Sequence, residues 1–287
     1  MHEISIVIPS YNECLSIKDT IFQIDTLLKK NKFVFEIIVV DDCSTDNTYE
    51  LIRNLSVKII RHNYNKGYGA SLKTGIKASE YKSVLIIDAD NTYPIDKIPD
   101  ILNSYFDEGF DMVVGARIGK NVSVPFSKKL AKWLIVKLAN YVTKRKIPDI
   151  NSGLRVIKKE LVIKYLNILP DGFSFTSTIT IALLSNNHDV NYLPIDYHDR
   201  KGHSKIRPVY DFLNFILLII RTTVFFNPLK IYLTLSLILS LIGFFVLFGS
   251  YLFTEKIMDV TFGICLIGSI MIASIGILAD LIVKKSN

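Results

Sequence analysis

Short apolar runs alternate with amphipathic stretches over residues 1 to about 125, and this alternation restricts the fold more than any other feature. Amphipathic stretches of helical length, such as Leu15–Lys30 and Asp46–Leu55, separate most of the runs. Repeated strand–helix units form mostly parallel sheets with right-handed crossovers. We therefore predict a doubly wound α/β domain whose strands are Ile4–Ile8, Phe35–Val40, Val57–Ile60, Val84–Ile87 and Met112–Val114.

Two carboxylates follow the fourth predicted strand. Val84–Ile87 is followed directly by Asp88 and Asp90, with one residue between them. Ligands of open α/β sheets bind outside the carboxyl ends of the strands. Carboxylates placed there can share a divalent cation, Mg²⁺ or Mn²⁺, which can in turn bridge the phosphates of a nucleotide diphosphate. An Asp-x-Asp pair alone is common, so its place after a buried strand matters most.

Polar residues also follow the first two predicted strands. Tyr11 could stack on a nucleotide base, and Glu13 could hydrogen-bond the base edge. Asp41 and Asp42 are adjacent acids that repel each other unless a donor or a positive group lies nearby, which favours ligand binding. For Ser44–Asp46 we favour a helix N-cap cluster, because these residue types accept hydrogen bonds from unpaired N–H groups.

The third and fifth strands are followed by weaker signals. Gly67 and Gly69 begin a dinucleotide-type glycine pattern, but Leu72 stands where its third glycine would be. A tight turn into a helix is enough to explain both glycines. Arg117 follows the fifth strand and could either face a phosphate or pair with an acid; spacing alone does not choose between these alternatives.

Charge and cysteine content narrow the function classes. The net charge of +7 suits an anionic partner: nucleic acid, a phosphorylated substrate or an acidic membrane face. The chain contains no recognised nucleic-acid-binding motif, so we expect no nucleic acid partner. Cys14, Cys43 and Cys265 lie far apart without a CxxC spacing, so neither a zinc site nor a disulfide framework is indicated.

Taken together and in this order, the motifs resemble family 2 glycosyltransferases with the GT-A fold. More narrowly, the chain resembles the dolichol-phosphate mannose synthase-like group, over roughly residues 3–226. The motifs that carry the family 2 resemblance are Pro9-x-Tyr11-Asn12-Glu13, Asp41-Asp42-x-Ser44-x-Asp46, Asp88-Ala89-Asp90 and Gly115-x-Arg117. The narrower resemblance is supported by Asp149–Arg155 and by Arg200–Lys205, which differs from the group's Arg-x-x-Gly-x-Ser-Lys loop by one residue in spacing.

The resemblance implies an inverting, metal-dependent transfer of one sugar from a nucleotide-diphosphate sugar to polyprenyl phosphate. The residues it assigns to the nucleotide sugar are Pro9, Tyr11, Glu13, Val40, Asp42, Asp88, Ala89, Asp90 and Arg117. The residues it assigns to the lipid phosphate are Ser152, Arg155, Arg200, Ser204 and Lys205. It implies that Asp90, Arg117, Arg200 and Lys205 serve catalysis and that Asp88 and Asp90 hold the metal.

One departure from the resemblance has a chemical consequence. Many relatives carry a Glu in the segment that corresponds to residues 173–180, whereas no carboxylate lies between Asp171 and Asp189 here. A sugar hydroxyl normally needs a general base before it attacks. A polyprenyl phosphate is already ionised, and it needs only cationic guidance together with a cation on the leaving diphosphate.

Two stretches suggest a membrane surface. Residues 127–146 carry an apolar helical stripe with basic residues at both ends, which predicts an interfacial helix. A helix packed on the catalytic domain would show the same stripe. Residues 207–228 are also apolar but contain Asp211 and Arg221, so we expect a juxtamembrane helix at the bilayer boundary.

Two uncharged segments near the end of the chain are each long enough to span a bilayer. They are residues 231–253 and 260–279, with the second helix extending to about 283. Flanking lysines place the catalytic domain and both termini in the cytoplasm by the positive-inside rule. The chain begins almost directly on a strand, so we expect no signal peptide. The expected domains are catalytic (1–206), juxtamembrane (207–228) and a transmembrane hairpin (229–287).

Other functions remain open at this point. A family 2 enzyme could act on another lipid or on a glycan, although the processive motif Gln-x-x-Arg-Trp cannot exist because Gln23 and Trp133 are the sole residues of their types. A non-catalytic membrane scaffold could keep the same fold. The donor's base and sugar, the length of the polyprenol and the formation of a homo-oligomer are not fixed by the sequence.

Overall fold

The computed structural model describes residues 2–118, 136–197, 217, 220–225, 227–253 and 258–286. The chain divides into two compact units, Met1–Ile216 and Leu217–Asn287. Residues 127–135 of the predicted interfacial helix and most of the juxtamembrane segment lie outside the described residues. Within them, residues 136–143 are helical, and the buried side chains of Ala139 and Val142 show that this end of the helix packs against protein.

The first unit is built on one sheet, with seven strands in the described residues. Its spatial order is β3-β2-β1-β4-β6-β5-β7. Every neighbouring pair is parallel except the two pairs that involve β6, which runs antiparallel to β4 and β5. The strands are β1 (Glu3–Ser10), β2 (Val34–Asp41), β3 (Lys58–Arg61), β4 (Ser83–Ile86), β5 (Met112–Arg117), β6 (Arg155–Lys158) and β7 (Val190–Ile195). The prediction of a mostly parallel α/β sheet is confirmed.

Helices connect the strands and cover the sheet. They are α1 (Ile17–Lys30), α2 (Thr48–Ile52), α3 (Tyr68–Ala78), α4 (Ile98–Glu108), α5 (136–143), α6 (Lys159–Lys164) and α7 (Phe175–Ser185). In α1, Ile17, Ile21, Ile24 and Leu28 are buried at intervals of three or four residues, as expected for a helix with one face on a core. In contrast, α7 is buried from Phe175 to Leu184, which explains why its sequence is apolar or small on every face.

The second unit contains a short helical segment, α8 (220–225), and two long helices, α9 (Pro228–Phe253) and α10 (Asp259–Ser286). Both long helices are apolar and long enough to cross a membrane. Their large side chains point outward, with Phe245 and Phe253 exposed to 75% and 84%. Because water solvates such surfaces unfavourably, hydrocarbon is the environment that suits them. The prediction of two long apolar helices is confirmed.

Candidate active site

The carboxyl ends of the parallel strands and the amino end of β6 meet at one edge of the sheet, because β6 runs in the opposite direction. This arrangement brings together residues that lie far apart in the sequence. The predicted site residues at this edge are Tyr11, Glu13, Asp42, Asp88, Ala89, Asp90, Arg117, Ser152 and Arg155. The burial and hydrogen-bond partners of each residue determine whether it can contact a ligand.

Asp88 is partly exposed and lies between two structural elements. Its Oδ1 accepts a hydrogen bond of 2.8 Å from Tyr68 Oη, at the start of α3. Burial and the negative charge of Asp88 raise the pKa of Tyr68 well above its usual value, so the hydroxyl remains a donor. On another side Gly153 packs against the carboxylate: a Cβ there would lie 2.7 Å from Asp88 Cγ and 2.8 Å from Oδ1.

Asp90 is fixed within its own turn. Its Oδ1 accepts hydrogen bonds from the backbone N–H and the hydroxyl of Thr92, at 3.2 Å and 2.6 Å. Asn91 has a φ of 57°, in the left-handed region that tight turns require. Next to it, the Ala89 carbonyl accepts from Thr20 Oγ1 at 3.2 Å, which ties the turn to α1. The turn that carries Asp90 is therefore well anchored, and the Asp90 side chain within it is largely buried.

The donor set suits a divalent cation that arrives with a phosphorylated substrate. Asp88 and Asp90 supply hard oxygen ligands, yet the described part of the chain contains no group of three or more His, Cys, Asp or Glu side chains that could hold a metal. Mg²⁺ usually binds through one or two carboxylates plus substrate phosphates rather than in an all-protein cage. The two residues therefore fit a shared cation and diphosphate site.

A cleft of about 680 Å³ opens beside Asp90, between α1 and residues 91–96. Its wall includes Phe22, whose ring is exposed, and the buried Tyr93. The cleft offers space for a small molecule next to one of the two candidate metal ligands.

Arg117 pairs with an acid, as one of the two alternatives for its sequence position predicts. Its Nε and Nη2 donate to Asp149 Oδ2 and Oδ1, at 2.7 Å and 2.9 Å, and its backbone N–H also donates to Oδ2. Asp149 is 1% exposed. The guanidinium also lies 5.2 Å from the centre of the Tyr197 ring. The structure thus places Arg117 in a two-bond pair, and direct phosphate contact stays a prediction.

Asp42 is committed to the loop that precedes α3. Its carboxylate accepts from the backbone N–H groups of Lys66 and Gly67, both at 2.8 Å, and from His62 Nδ1 at 2.7 Å. The second ring nitrogen of His62 lies 3.0 Å from Thr74 Oγ1 in α3. These bonds anchor the start of α3, so the structure gives Asp42 a positioning role. Its contact with a nucleoside stays a prediction.

The loops after β1 and β2 are joined by side-chain hydrogen bonds. Asn12 N–H donates to Ser44 Oγ at 3.0 Å, and Asn12 Oδ1 accepts from Thr45 N–H at 2.8 Å. Asp46 Oδ1 accepts from the N–H of Thr48, the first residue of α2, at 2.9 Å. The helix-start interpretation is therefore confirmed for Asp46, while Ser44 and Thr45 instead hold the neighbouring loop.

The remaining predicted nucleotide-site residues differ in accessibility. Tyr11 and Glu13 are partly exposed, as contact with a ligand requires. Pro9 and Val40 face each other in the parallel register of β1 and β2, and the Val40 side chain is fully buried. Val40 could therefore present only backbone atoms to a nucleoside.

The predicted lipid-phosphate role of Ser152 and Arg155 needs correction, because both are completely buried. Arg155 donates through Nε to the Ser152 carbonyl at 3.0 Å and through Nη1 to the Thr176 carbonyl at 3.0 Å. Ser152 Oγ donates to the Gly115 carbonyl. The Arg155 side chain lies on the face of β6 that α7 covers, where it links strand and helix instead of facing solvent. Burial also lowers the pKa of this guanidinium.

Arg200, Ser204 and Lys205, the other predicted phosphate contacts, lie outside the described residues. Gly67 and Gly69, which resembled a partial dinucleotide pattern, have a packing explanation. A Cβ on Gly67 would lie 2.5 Å from the Asp171 carbonyl oxygen, and one on Gly69 would lie 2.8 Å from that of Gly172. Only glycine permits this close approach of the loop 170–172 to the start of α3.

Sequence reasoning missed several side chains around the site. Tyr68 and Tyr93 contact Asp88 and Gly153, and Tyr197 packs edge-on against Tyr93 with ring centres 5.4 Å apart. Isolated tyrosines carry no spacing signal, so the sequence offered no means of selecting them. Asp149 was detectable in principle, because it begins the motif that ends in Arg155.

Comparison with known proteins places this site in a known family. The chain matches Glycosyl transferase family 2 over residues 5–166. The dolichyl-phosphate hexose transferase of Haloferax volcanii is 26% identical over 207 residues, covering 72% of this chain and 87% of that protein. The dolichol-phosphate mannosyltransferase of Pyrococcus furiosus is 29% identical over 226 residues, and the match covers 75% of this chain but only 62% of that relative.

The fold is also found in a solved structure. Glucosyl-3-phosphoglycerate synthase from Mycobacterium tuberculosis, in complex with Mn²⁺, UDP and phosphoglyceric acid, aligns with a TM-score of 0.61 at 19% identity. The alignment covers 77% of this chain and 78% of the other, and at this identity it shows the shared fold alone. The sequence match extends over more than half of the chain and includes the Asp-x-Asp turn at the sheet edge, so this protein belongs to glycosyl transferase family 2 and has a GT-A-like fold.

Proposed function

We propose that this glycosyltransferase moves one hexosyl unit, with inversion, from a nucleotide-diphosphate sugar to undecaprenyl or dolichyl phosphate, giving a polyprenyl-phosphate sugar. The observation that carries the proposal is the combination of an Asp-x-Asp turn at the carboxyl edge of a family 2 domain with two long, outward-facing apolar helices. The names of the Haloferax and Pyrococcus relatives support a dolichyl-phosphate acceptor.

Asp88 and Asp90 would hold Mg²⁺ or Mn²⁺ together with the donor's diphosphate. The cation, when bound, neutralises charge that develops on the leaving diphosphate. The turn anchored by Thr92 would keep Asp90 in position to share the cation with Asp88. Tyr11 and Glu13 would contact the nucleoside from the loop after β1.

The acceptor would need no general base from the protein. A phosphate monoester oxygen is already ionised at neutral pH, and the segment between Asp171 and Asp189 contains no carboxylate that could remove a proton. Arg200 and Lys205 would guide the acceptor phosphate past the donor's own charges. Because that segment contains no carboxylate to act as a base, we expect a phosphate acceptor rather than a lipid hydroxyl.

The membrane arrangement forms part of the proposal. Residues 1–206 would act as the catalytic domain, 207–228 as a juxtamembrane helix and 229–287 as a transmembrane hairpin. Lys230, Lys284 and Lys285 flank the apolar helices, and positive charge next to a span favours the cytoplasmic side. The catalytic domain and both termini would then face the cytoplasm, where nucleotide sugars are made available.

The test uses the full chain purified in detergent with Mn²⁺ or Mg²⁺. It would receive a panel of radiolabelled nucleotide sugars together with undecaprenyl or dolichyl phosphate. We expect label in an organic-extractable, mild-acid-labile lipid, and its loss in Asp90→Asn. Asp100→Asn is the matched control, because Asp100 is an exposed acid in α4 that pairs only with nearby Lys97 among the salt bridges of the described residues.

Two results would contradict the proposal. Nucleotide-sugar binding without a lipid product across the whole panel would indicate another acceptor. A lipid product of equal yield in Asp90→Asn and wild type would remove the metal-site assignment, even if the reaction itself were correct.

A further inference from the structure

Tyr68 lies at the candidate metal site, although no motif pointed to it. It is the first residue of α3, and its hydroxyl donates to Asp88 Oδ1 at 2.8 Å. Its ring stacks on Phe173, with the ring centres 5.7 Å apart and the planes 17° from parallel. The hydroxyl and the ring thus have separate contacts, which a single substitution can distinguish.

The position of Tyr68 is fixed from both sides of the α3 start. Asp42 accepts from Lys66 and Gly67 N–H immediately before it. Two residues after it, Ala70 N–H donates to the Asp171 carbonyl at 3.0 Å. Because the backbone is held on both sides of Tyr68, the hydroxyl reaches Asp88 from a constrained direction.

Asp88 is restrained on its other side by backbone. Gly153 packs on the carboxylate so closely that any side chain at 153 would overlap it. The N–H of Gly153 in turn donates to Tyr93 Oη at 2.6 Å, and Tyr93 is buried. Two tyrosines, one acting directly and one through Gly153, therefore restrict the rotation of Asp88.

We propose that Tyr68 is a positioning residue that holds the Asp88 carboxylate in the orientation needed to share a divalent cation with Asp90. The inference rests on the metal site of the proposed function and extends it to a partner beyond the ligands themselves. Outer-shell hydrogen bonds orient metal ligands, and their loss typically weakens metal affinity by about 10–100-fold. The neutral hydroxyl orients Asp88 without cancelling the charge that attracts the cation.

The experiment measures Mn²⁺ binding directly, by electron paramagnetic resonance of free Mn²⁺, on the full chain in detergent. Tyr68→Phe keeps the ring and its stacking on Phe173 but removes the hydroxyl. We expect its Kd for Mn²⁺ to rise by about 10-fold or more, with little change in Tm. Tyr64→Phe is the matched control: it removes a hydroxyl from an exposed tyrosine four residues earlier, and its Kd should equal the wild-type value.

A second variant covers the case in which Tyr68→Phe folds poorly. Tyr93→Phe removes the acceptor of Gly153 N–H and should loosen Asp88 from its other side, again weakening Mn²⁺ binding. With an active donor and acceptor pair, Tyr68→Phe should raise the apparent KM for Mn²⁺ while kcat at saturating Mn²⁺ changes little. A purely structural role would lower Tm without this separation.

The outcomes distinguish this inference from the proposed function. If wild type binds Mn²⁺, Asp88→Asn does not, and both tyrosine variants bind normally, then Tyr68 does not position Asp88. Tighter binding in Tyr68→Phe would also overturn the inference, since the hydroxyl would then compete with the cation. If wild type binds no Mn²⁺ in the presence or absence of UDP or GDP, the metal site of the proposed function fails instead.

Discussion

The ends of β4 and β5 lie on the same sheet edge, but the carboxylates near them accept hydrogen bonds from different kinds of donor. At the end of β5, the Arg117 guanidinium forms a two-bond pair with the buried Asp149. After β4, the hydrogen bonds described for Asp88 and Asp90 come from neutral donors, Tyr68 and Thr92. A charged partner largely cancels a carboxylate's field, whereas a neutral donor only orients it.

This difference separates an internal support from a candidate ligand site. The Arg117–Asp149 pair ties the end of β5 to the segment before β6, and so helps to place Gly153 beside Asp88. The hydroxyls of Tyr68 and Thr92 orient the carboxylates after β4 and bring no charge of their own. Nearby acids of the same sequence type thus have different hydrogen-bond donors.

The largest effect is expected where the paired charge is broken. Asp149→Asn would leave the Arg117 guanidinium without its carboxylate, and removing one partner of a buried pair destabilises by about 3–5 kcal/mol. For a unit of this size we expect Tm to fall by about 6–20 °C. Thermal unfolding in detergent measures the change, with Asp100→Asn as the exposed-acid control. A Tm equal to that of the control would show that the pair contributes little.

Gly153→Ala should disturb the Asp88 carboxylate and weaken Mn²⁺ binding. The added methyl would overlap the Asp88 carboxylate and displace it, and overpacking of this kind costs about 1–3 kcal/mol. We expect the Kd for Mn²⁺ to rise more than in Tyr68→Phe. Gly172→Ala is the control, since a Cβ there would meet no atom within 4 Å in the described structure. Unchanged Mn²⁺ binding in Gly153→Ala would contradict the tight packing on Asp88.

Asp42→Asn tests how far the contact of Tyr68 with Asp88 depends on the loop that contains Lys66 and Gly67. An amide can accept only through one oxygen, so one of the N–H groups of Lys66 and Gly67 would lose a good acceptor. A buried unsatisfied donor costs about 1–3 kcal/mol. We expect a lower Tm and a moderate weakening of Mn²⁺ binding, because Tyr68 follows this loop directly. Loss of nucleotide binding with Tm and Mn²⁺ binding preserved would instead favour the predicted nucleoside contact.

Thr92→Val should have the smallest effect. It removes the hydroxyl bond to Asp90 Oδ1 but retains the backbone N–H bond and the shape of the side chain. A neutral hydrogen bond contributes about 0.5–1.5 kcal/mol net. The expected results are a small decrease in Tm and a rise in the Kd for Mn²⁺ smaller than in Tyr68→Phe. A loss as large as that of Asp90→Asn would mean that Thr92 itself takes part in binding.

Much of the fold was predictable because it depends on local patterns. The apolar run Val84–Ile87 overlaps β4 (Ser83–Ile86), and the uncharged segments 231–253 and 260–279 lie within α9 and α10. The prediction that Asp88 and Asp90 follow a buried strand was also correct. The direction of β6 was not predicted, because a short apolar run does not encode whether it pairs parallel or antiparallel with its neighbours.

The sequence by itself determined which residue types reach the sheet edge, since strand ends and their flanking carboxylates are local features. Only the tertiary structure decided which side chains each of them meets. Arg155 lies at this edge because β6 is inserted antiparallel between β4 and β5, and its side chain is on the face of the sheet that α7 covers. Tyr68 meets Asp88 across twenty residues, and Arg117 meets Asp149 across thirty-two. Such contacts depend on strand order and helix placement. No local sequence pattern specifies these; they are selected by the free energy of the whole domain.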